Sequence, residues 1–392
     1  MKIAVMSDFH LGYENSLFRE LYEDSFVHAE RALTKACELS DAIIIAGDIF
    51  DSRVPKPEVI ARAFKIFSAV REKPTKIRIS GIPNSRSNFP LIAIHGTHER
   101  RTTGFINPVQ LLEIAGFIVD IHKKQVVLEE GDERVAIYGI GGVPDEYASH
   151  ALEKLKPQPV ENAFNILVMH QTLSEFIPSK TAMSVDSLPA GFDLYVFGHL
   201  HKAGVHFLGN KKILVPGSTI VTQFRKEEMR EKGFFVIDTK TGKKEFIQIM
   251  TRPFIYEEIK LENATPESIK YACDELLRRM PRSGMKPIVR IHLKGTFAEG
   301  YSSSEIPDCS EWHELAFVVI DADMEIHDIS KKIEKIREMR NNRLSARERG
   351  IEILKKYVEN SGFSLLRENF EELIESIIAD PEKALGGMVD EE

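Results

Sequence analysis

Short apolar runs, each followed within two residues by an aspartate or a histidine, recur through the first 250 residues of the chain. The clearest are Ile3–Met6, Ala42–Ala46, Leu91–Ile94, Asn165–Met169 and Leu194–Phe197. Runs of this length are typical of buried strands. Periodic apolar positions between them predict helices over Leu17–Leu39, Glu58–Val70 and Pro108–Ala115. The alternation predicts an α/β fold with functional side chains at the carboxyl ends of its strands.

The pattern divides the chain into three predicted domains. Further strands reach Gly233–Asp238, and the first domain is expected over residues 1–250. A strand, helix and strand then predict a small α/β domain over 251–325. Residues 326–392 are charged and helical in pattern, with a strongly basic stretch over Lys331–Arg349. A chain of 392 residues has room for these three parts.

Composition narrows the class of protein without deciding its partner. The 43% hydrophobic and 29% charged residues are ordinary for a globular protein, and no stretch approaches the roughly 20 apolar residues of a membrane span. Asp8 and His10 come too early for a cleaved leader, so we expect a cytoplasmic protein. The three cysteines lie far apart and predict neither disulfides nor a zinc site. A net charge of −8 still allows a local basic cleft that binds nucleic acid.

The candidate chemistry lies in residues that directly follow the predicted strands. The set is Asp8, His10, Asp48, His98, His170, His199 and His201. Strand ends of an α/β sheet meet at one edge, where buried charges require either a cation or a partner of opposite charge. This donor set suits manganese, iron or zinc better than calcium. It exceeds the needs of one ion, so it predicts two divalent metals and hydrolysis of a phosphate ester.

These motifs resemble the calcineurin-like metallophosphoesterase superfamily in order and spacing. The matching segments are Asp8-Phe9-His10, Gly47-Asp48, Gly96-Thr97-His98-Glu99, His170 and Gly198-His199-Leu200-His201. Within it, the chain resembles the archaeal DNA double-strand-break repair nucleases of the meiotic-recombination-eleven or SbcD type. The resemblance implies a layered β-sandwich flanked by helices, followed by a small capping domain that binds DNA and a helical partner-binding tail.

The resemblance also implies roles for single residues. Asp8, His10, Asp48 and His201 would hold one metal ion, and Asp48, His170 and His199 the other, with Asp48 as the bridge. His98 would stabilise charge on the scissile phosphate or the leaving oxygen. The implied activities are manganese-dependent 3′ to 5′ exonuclease action on duplex DNA and endonuclease action on single strands.

Three positions depart from the family pattern or extend it. Thr97 stands where relatives have an asparagine ligand, which makes it a doubtful, weaker ligand. Asp51 replaces a histidine of several relatives, and we interpret it as a carboxylate that orients a ligand histidine, with direct contact to DNA as the alternative. Residues 74–90 look like an inserted surface loop, and DNA contact by this loop is the alternative interpretation.

The predicted partners are DNA, a second copy of the chain and an ATPase. Tyr13 and Arg100 flank the motif loops and are candidate phosphate contacts. The helix near 57–70 has an apolar stripe wider than one buried face requires, which suggests a partner. The resemblance implies a homodimer in which this helix and the helix near 108–115 pack against their mates, and the alternative is that both faces are covered within the monomer. By resemblance, residues 345–379 would bind a coiled-coil ATPase of the SbcC type in a prokaryotic, nucleoid-associated complex. Two alternatives stay open: a metal-dependent phosphatase on the same fold, and a weakly catalytic DNA-binding scaffold for the ATPase.

Overall fold

The computed structural model describes residues 1–15, 17–81, 89–102, 104–280 and 284–326. Its first sheet has six strands in the order β13-β12-β1-β2-β4-β5. Their bounds are β1 Lys2–Met6, β2 Ala42–Ala46, β4 Leu91–Ile94, β5 Val119–Asp120, β12 Gly233–Asp238 and β13 Lys244–Gln248. The strands β1, β2, β4 and β5 run parallel, and β12 joins β1 antiparallel.

The second sheet has seven strands in the order β10-β11-β9-β8-β7-β6-β3. Their bounds are β3 Arg78–Ser80, β6 Lys124–Glu130, β7 Glu133–Ile140, β8 Phe164–His170, β9 Leu194–Gly198, β10 Gly204–Leu208 and β11 Lys211–Val215. The central strands β7, β8, β9 and β11 are parallel, whereas β3, β6 and β10 pair antiparallel at the two sides.

The two sheets face each other across a shared apolar core. Strand β1 shows the arrangement, because Ile3 and Val5 point into the core between the sheets while Ala4 and Met6 pack beneath the helices. Successive side chains of a strand alternate between faces, so a strand covered on both sides must be apolar throughout. The predicted α/β class, with a layered β-sandwich flanked by helices, is confirmed.

Helices cover the outer faces of both sheets. Their bounds are α1 Leu21–Leu39, α2 Pro57–Arg71, α3 Pro108–Ile114 and α4 Asp145–Leu155. The first three pack on the six-stranded sheet and α4 packs on the seven-stranded sheet. Helix α1 begins four residues later than predicted, because the Asn15 side chain accepts hydrogen bonds from the backbone N–H groups of Leu17 and Phe18 and holds a turn there.

Part of the expected 74–90 surface loop is a strand. Residues Arg78–Ser80 pair antiparallel with β6, Ile79 packs against the inter-sheet core, and Arg78 donates to Glu129 at 2.7 Å. The prediction of a loop was wrong for these three residues, since a short edge strand lacks a continuous apolar run. Residues 82–88 lie outside the described part of the chain.

Beyond the two large sheets, a three-stranded sheet follows in the order β14-β15-β16. Its strands are β14 Phe254–Ala264, β15 Ile288–Phe297 and β16 Phe317–Glu325, and helix α5 is Pro266–Arg279. The chain divides into two compact units. The first contains residues 1–257, 279–291 and 309–320. The second contains residues 258–278 and 292–308 and continues from residue 321. The predicted borders at 250 and 325 remain predictions. The tail 326–392, with the predicted ATPase-binding segment 345–379, falls outside the described residues except for Ile326.

No helix among the described ranges is both long enough and apolar enough to cross a membrane.

Candidate metal centre

The carboxyl ends of β1, β2, β4, β8 and β9 deliver the predicted residues to one place. Four of them adopt left-handed backbone conformations, with φ values of 56° at Asp8, 49° at His10, 49° at Asp48 and 83° at His199. Non-glycine residues rarely adopt this region, so the strain has to be held by surrounding structure. Backbone hydrogen bonds from Asp8 N to Gly47 O and from His10 N to Asp48 O, both 3.0 Å, join the first two loops.

A first ligand group consists of Asp8, His10 and His201. Oδ1 of Asp8 lies 3.9 Å from Nε2 of His10 and 3.8 Å from Nε2 of His201, and the two Nε2 atoms are 3.3 Å apart. This Oδ1 atom is buried and has no hydrogen-bond partner among the described residues. A buried carboxylate oxygen without a donor is costly, and a divalent cation between these three atoms removes that cost.

A second ligand group consists of Asp48, His170 and His199. Oδ2 of Asp48 lies 3.1 Å from Nε2 of His170, whose Nδ1 donates to the Ala46 carbonyl at 2.7 Å. Burial opposes charge on both groups, yet the charge of Asp48 raises the pKa of His170 to about 9 and His170 holds the pKa of Asp48 well below its usual range. A positive charge between the Asp48 carboxylate and the His170 imidazole is therefore favourable, and a divalent cation would supply it.

Burial, followed by the nearby His170, lowers the pKa of His199 to about 4. Its imidazole is therefore neutral at ordinary pH, as a metal ligand must be. Together the two groups contain all six predicted aspartate and histidine ligands. The residues present thus fit divalent cations. Whether Asp48 bridges the two groups stays a prediction.

The loop after β4 closes on Asp48. The backbone N–H of His98 donates to Oδ1 of Asp48 at 2.9 Å, and the Thr97 hydroxyl donates to Oδ2 at 3.3 Å. A Cβ atom on Gly96 would lie 2.1 Å from Oδ1 of Asp48, so only glycine allows this approach. Thr97 therefore lies beside the second ligand group and contacts its carboxylate. Its role as a metal ligand stays a prediction.

His98 lies at the open side of the centre, and 44% of its side chain is exposed. Its Nδ1 is 3.0 Å from the Asp51 carbonyl oxygen, which fixes Nδ1 as the donor and leaves Nε2 free to exchange a proton. Its ring packs edge-on against His10, with the ring centroids 4.8 Å apart. The Asp51 carboxylate accepts from Nδ1 of His10 at 2.9 Å and so orients that ligand, as predicted from the sequence.

An open cleft of about 630 Å³ adjoins His98. It is lined by Asp51, Ser52, Arg53, Val54, Thr97, His98 and Arg100. Arg100 thus lies beside His98, where a phosphate contact was predicted. The Tyr13 hydroxyl instead donates to the Thr222 carbonyl at 2.7 Å and accepts from Asn15 at 3.2 Å, and burial raises its pKa. Contact of either residue with DNA stays a prediction.

Sequence reasoning missed two buried glutamates that support the centre. Glu99 is fully buried and accepts the backbone N–H groups of Phe50 and Gly96, both at 2.8 Å, and burial followed by the charge of Asp48 raises its pKa to about 8. Glu228 accepts from Nδ1 of His201 at 3.1 Å. Burial alone would raise the pKa of Glu228, but His201 and Lys232 lower it to about 2. The position of Glu99 directly after His98 was a usable signal, whereas Glu228 lies in an ordinary charged run.

The two sheets and the paired ligand groups define a metal-dependent phosphoesterase. Residues 1–242 match the calcineurin-like phosphoesterase superfamily domain, and the chain belongs to that family. Three relatives extend the match. The double-strand break repair protein MRE11 of Encephalitozoon cuniculi is 27% identical over 313 residues, which cover 73% of this chain and 54% of that protein. The Mus musculus protein of the same name is 26% identical over 365 residues, which cover 74% of this chain and 50% of that protein.

The third relative is the DNA double-strand break repair protein Mre11 of Archaeoglobus fulgidus. It is 28% identical over 322 residues, which cover 73% of this chain and 67% of that protein. The chain spans about half the length of the first two relatives. The resemblance to repair proteins of this type, inferred from the motifs, is confirmed.

Proposed function

We propose that the chain is a manganese-dependent DNA nuclease of double-strand-break repair. Its expected activities are 3′ to 5′ exonuclease action on duplex DNA and endonuclease action on single strands. The main support for this proposal is the position of the two ligand groups, which lie at the edge of an open cleft lined by His98 and Arg100. An open cleft admits a polymer, whereas sites for small molecules are usually enclosed. The names of the three relatives point to the same substrate.

The residues divide the work of phosphodiester hydrolysis. Asp8, His10 and His201 would hold one cation, and Asp48, His170 and His199 the other. Two divalent cations bound in this way would offset the charge of the scissile phosphate and acidify a water molecule. The hydrogen bonds to Asp51 and Ala46 fix the orientation of the His10 and His170 imidazoles, whose Nε2 atoms would then be available to the cations.

His98 would act on the substrate itself. Because its Nδ1 donates to the Asp51 carbonyl, Nε2 is the ring atom that can exchange a proton with the phosphate or the leaving oxygen. We propose that Arg100 binds a neighbouring phosphate, because it lines the same cleft. Tyr13 is a second proposed DNA contact, and we extend the DNA-binding role to the capping domain at 251–325.

The proposed assembly is a homodimer joined to an ATPase. Beside α3, the side chains of Phe105, Ile106 and Ile114 are 62%, 55% and 61% exposed, which supports a second copy covering this face. On α2, Val59, Ala63 and Phe67 are buried within the unit, while Ile60 and Phe64 are partly exposed. Residues 345–379 would bind a coiled-coil ATPase of the SbcC type, and the complex would act at the nucleoid in the cytoplasm.

The test is degradation of 3′-labelled and internally labelled duplex DNA with manganese, compared with hydrolysis of a small phosphomonoester. The proposal predicts loss of both DNA labels and little phosphomonoesterase activity. His98→Asn should lower DNA cleavage by about 10²- to 10⁴-fold and should keep its DNA binding. Phosphomonoesterase activity alone would favour the phosphatase. DNA binding without cleavage would favour the scaffold.

Two further measurements test the partners. Light scattering at micromolar concentration should give the mass of two chains, and a mass of one chain would contradict the dimer. Deleting the chain from Ser345 should abolish association with the ATPase and leave manganese-dependent cleavage in place. Continued association after the deletion would contradict the proposed role of the tail.

A further inference from the structure

His201 is supported from behind by a buried pair of opposite charges. Its Nδ1 lies 3.1 Å from Oε1 of Glu228, and Oε2 of Glu228 lies 2.7 Å from Nζ of Lys232. Nζ also donates to the Ser218 hydroxyl at 2.8 Å. Glu228 and Lys232 are 5% and 4% exposed. The chain of contacts therefore runs from a predicted metal ligand through two charged side chains that are almost completely buried.

The pair belongs to the loop between β11 and β12, which reaches the centre at several points. The backbone N–H of Ser218 donates to the His201 carbonyl at 3.3 Å, and that of Thr219 donates to the Asp8 carbonyl at 3.4 Å. The Thr222 hydroxyl lies 3.1 Å from Nδ1 of His201. The loop is thus attached to two members of the first ligand group, at the backbone of both and at the imidazole of His201.

Burying an ammonium and a carboxylate is costly, and apolar side chains of similar volume are often at least as stable. Stability alone therefore does not account for the choice of Glu228 and Lys232. The positions of the two carboxylate oxygens of Glu228 do account for this choice, because one oxygen faces His201 and the other faces Lys232. A glutamate held at both oxygens presents a fixed acceptor to the imidazole.

We propose that Glu228 and Lys232 are positioning residues of the metal centre. Glu228 accepts Nδ1–H of His201 and thereby keeps the Nε2 lone pair directed at Asp8, while Lys232 fixes the orientation of Glu228. The inference rests on the proposed metal centre and extends it to a loop in which the sequence analysis predicted no metal ligand. Partners that orient a ligand histidine in this way are typically worth 10- to 100-fold in metal affinity.

The role makes a specific demand on chemistry at position 228. An acceptor oxygen is needed toward His201, but a negative charge is needed only while Lys232 is present. Glu228→Ala removes the carboxylate acceptor and leaves the Thr222 hydroxyl as the remaining neighbour of Nδ1. In the double variant Glu228→Gln with Lys232→Met, the amide oxygen still accepts from Nδ1, and no unpaired ammonium remains. Glu227→Ala is the matched control, because it removes a neighbouring but exposed carboxylate.

The experiment is calorimetric titration of the metal-free full chain with Mn²⁺ at fixed pH. Each variant is first checked by thermal denaturation. Glu228→Ala should weaken one of two binding events by about 10- to 100-fold and leave the other within about threefold. The double variant should recover affinity to within about threefold of the unmodified chain, and the control should bind normally.

Failure of this inference is distinct from failure of the proposed function. If the unmodified chain binds two Mn²⁺ ions and folded Glu228→Ala binds both as tightly, the positioning role is wrong. It is also wrong if the folded double variant binds Mn²⁺ as weakly as Glu228→Ala. A loss of Mn²⁺ affinity in Glu227→Ala, together with unchanged affinity in the double variant, would contradict it as well. Should Glu228→Ala not fold, Glu228→Leu with Lys232→Met takes its place, because it removes the carboxylate and the ammonium together, and it should bind one Mn²⁺ ion about 10- to 100-fold more weakly than the Glu228→Gln double variant. Absence of Mn²⁺ binding by the unmodified chain would instead contradict the metal centre itself.

Discussion

In the metal centre, the backbone of Gly96 lies close to both the side chain and the backbone of Asp48. In Gly96→Ala, the new Cβ atom would lie 2.1 Å from Oδ1 and 2.4 Å from the backbone N of Asp48. Restoring a distance of 3.0 Å requires the loop or the carboxylate to move by about 0.9 Å. A shift of that size removes the hydrogen bond from His98 N to Asp48, which now measures 2.9 Å.

We expect Gly96→Ala to fold, with a loss of about 1–3 kcal/mol in the free energy of unfolding from the added methyl group. Misplacing a reacting group by 1 Å costs about 10²-fold in rate, so manganese-dependent DNA cleavage should fall by about that factor. The assay measures initial rates at saturating DNA together with urea denaturation. Gly284→Ala is the control, since its Cβ would meet no atom of the described residues within 4 Å. A folded Gly96→Ala with an unchanged rate would refute the reasoning.

Three other changes follow from the described packing and charges. Burial lowers the pKa of His28 from 6.5 to about 4, although the charge of Asp24 partly opposes this shift. Between these two pH values, His28 is neutral in the folded protein and protonated in the unfolded chain. The free energy of unfolding should therefore fall as the pH drops from 6.5 to 4, by up to about 3 kcal/mol from this group, and urea titrations in EDTA should show a shallower fall in His28→Gln. An equal fall would contradict this assignment. Phe67→Ala removes a fully buried ring of α2 and should cost about 3–5 kcal/mol in urea denaturation; a cost below about 1 kcal/mol would be inconsistent with the core described. Arg100→Ala should weaken DNA binding and reduce its salt slope by about 1, and an unchanged slope would exclude Arg100 as a phosphate contact.

The sequence predicted the strands that carry the site because those strands are covered on both faces. β2 has the predicted bounds Ala42–Ala46, and all five of its residues are buried. Such a strand has to be a continuous apolar run, which is the clearest local signal available. The left-handed residue at its end, Asp48, follows the run by two positions. Strand ends of this kind were sufficient to predict which side chains lie together, whereas their division into two ligand groups came from the family resemblance.

Elements with one exposed side were harder to predict. β10, Gly204–Leu208, contains no fully buried residue, and its Phe207 is 69% exposed at the edge of the seven-stranded sheet. Helix α4 was overlooked, because only Ala148 and Leu152 of its eleven residues are buried. With so few buried positions, neither segment stands out from the surrounding sequence as part of the core, and tertiary contacts decide its structure.

The buried charged residues that support the site could not be predicted from the local sequence pattern either. The run Arg225–Lys232 contains seven charged residues and looks like a solvated loop, yet Glu228 and Lys232 are buried against His201. Their burial depends on where the β11–β12 loop crosses the centre, which no spacing along the chain encodes. Residues that bind metal follow strand ends, whereas residues that orient them come from any segment that packs nearby.

The two-metal centre is tested by soaking crystals of the full chain with Mn²⁺ and recording anomalous scattering at the manganese absorption edge. The account predicts two peaks about 3.5–4 Å apart, one among Asp8, His10 and His201 and one among Asp48, His170 and His199. A single peak at high Mn²⁺ concentration, or peaks away from these two groups, would contradict a two-metal centre.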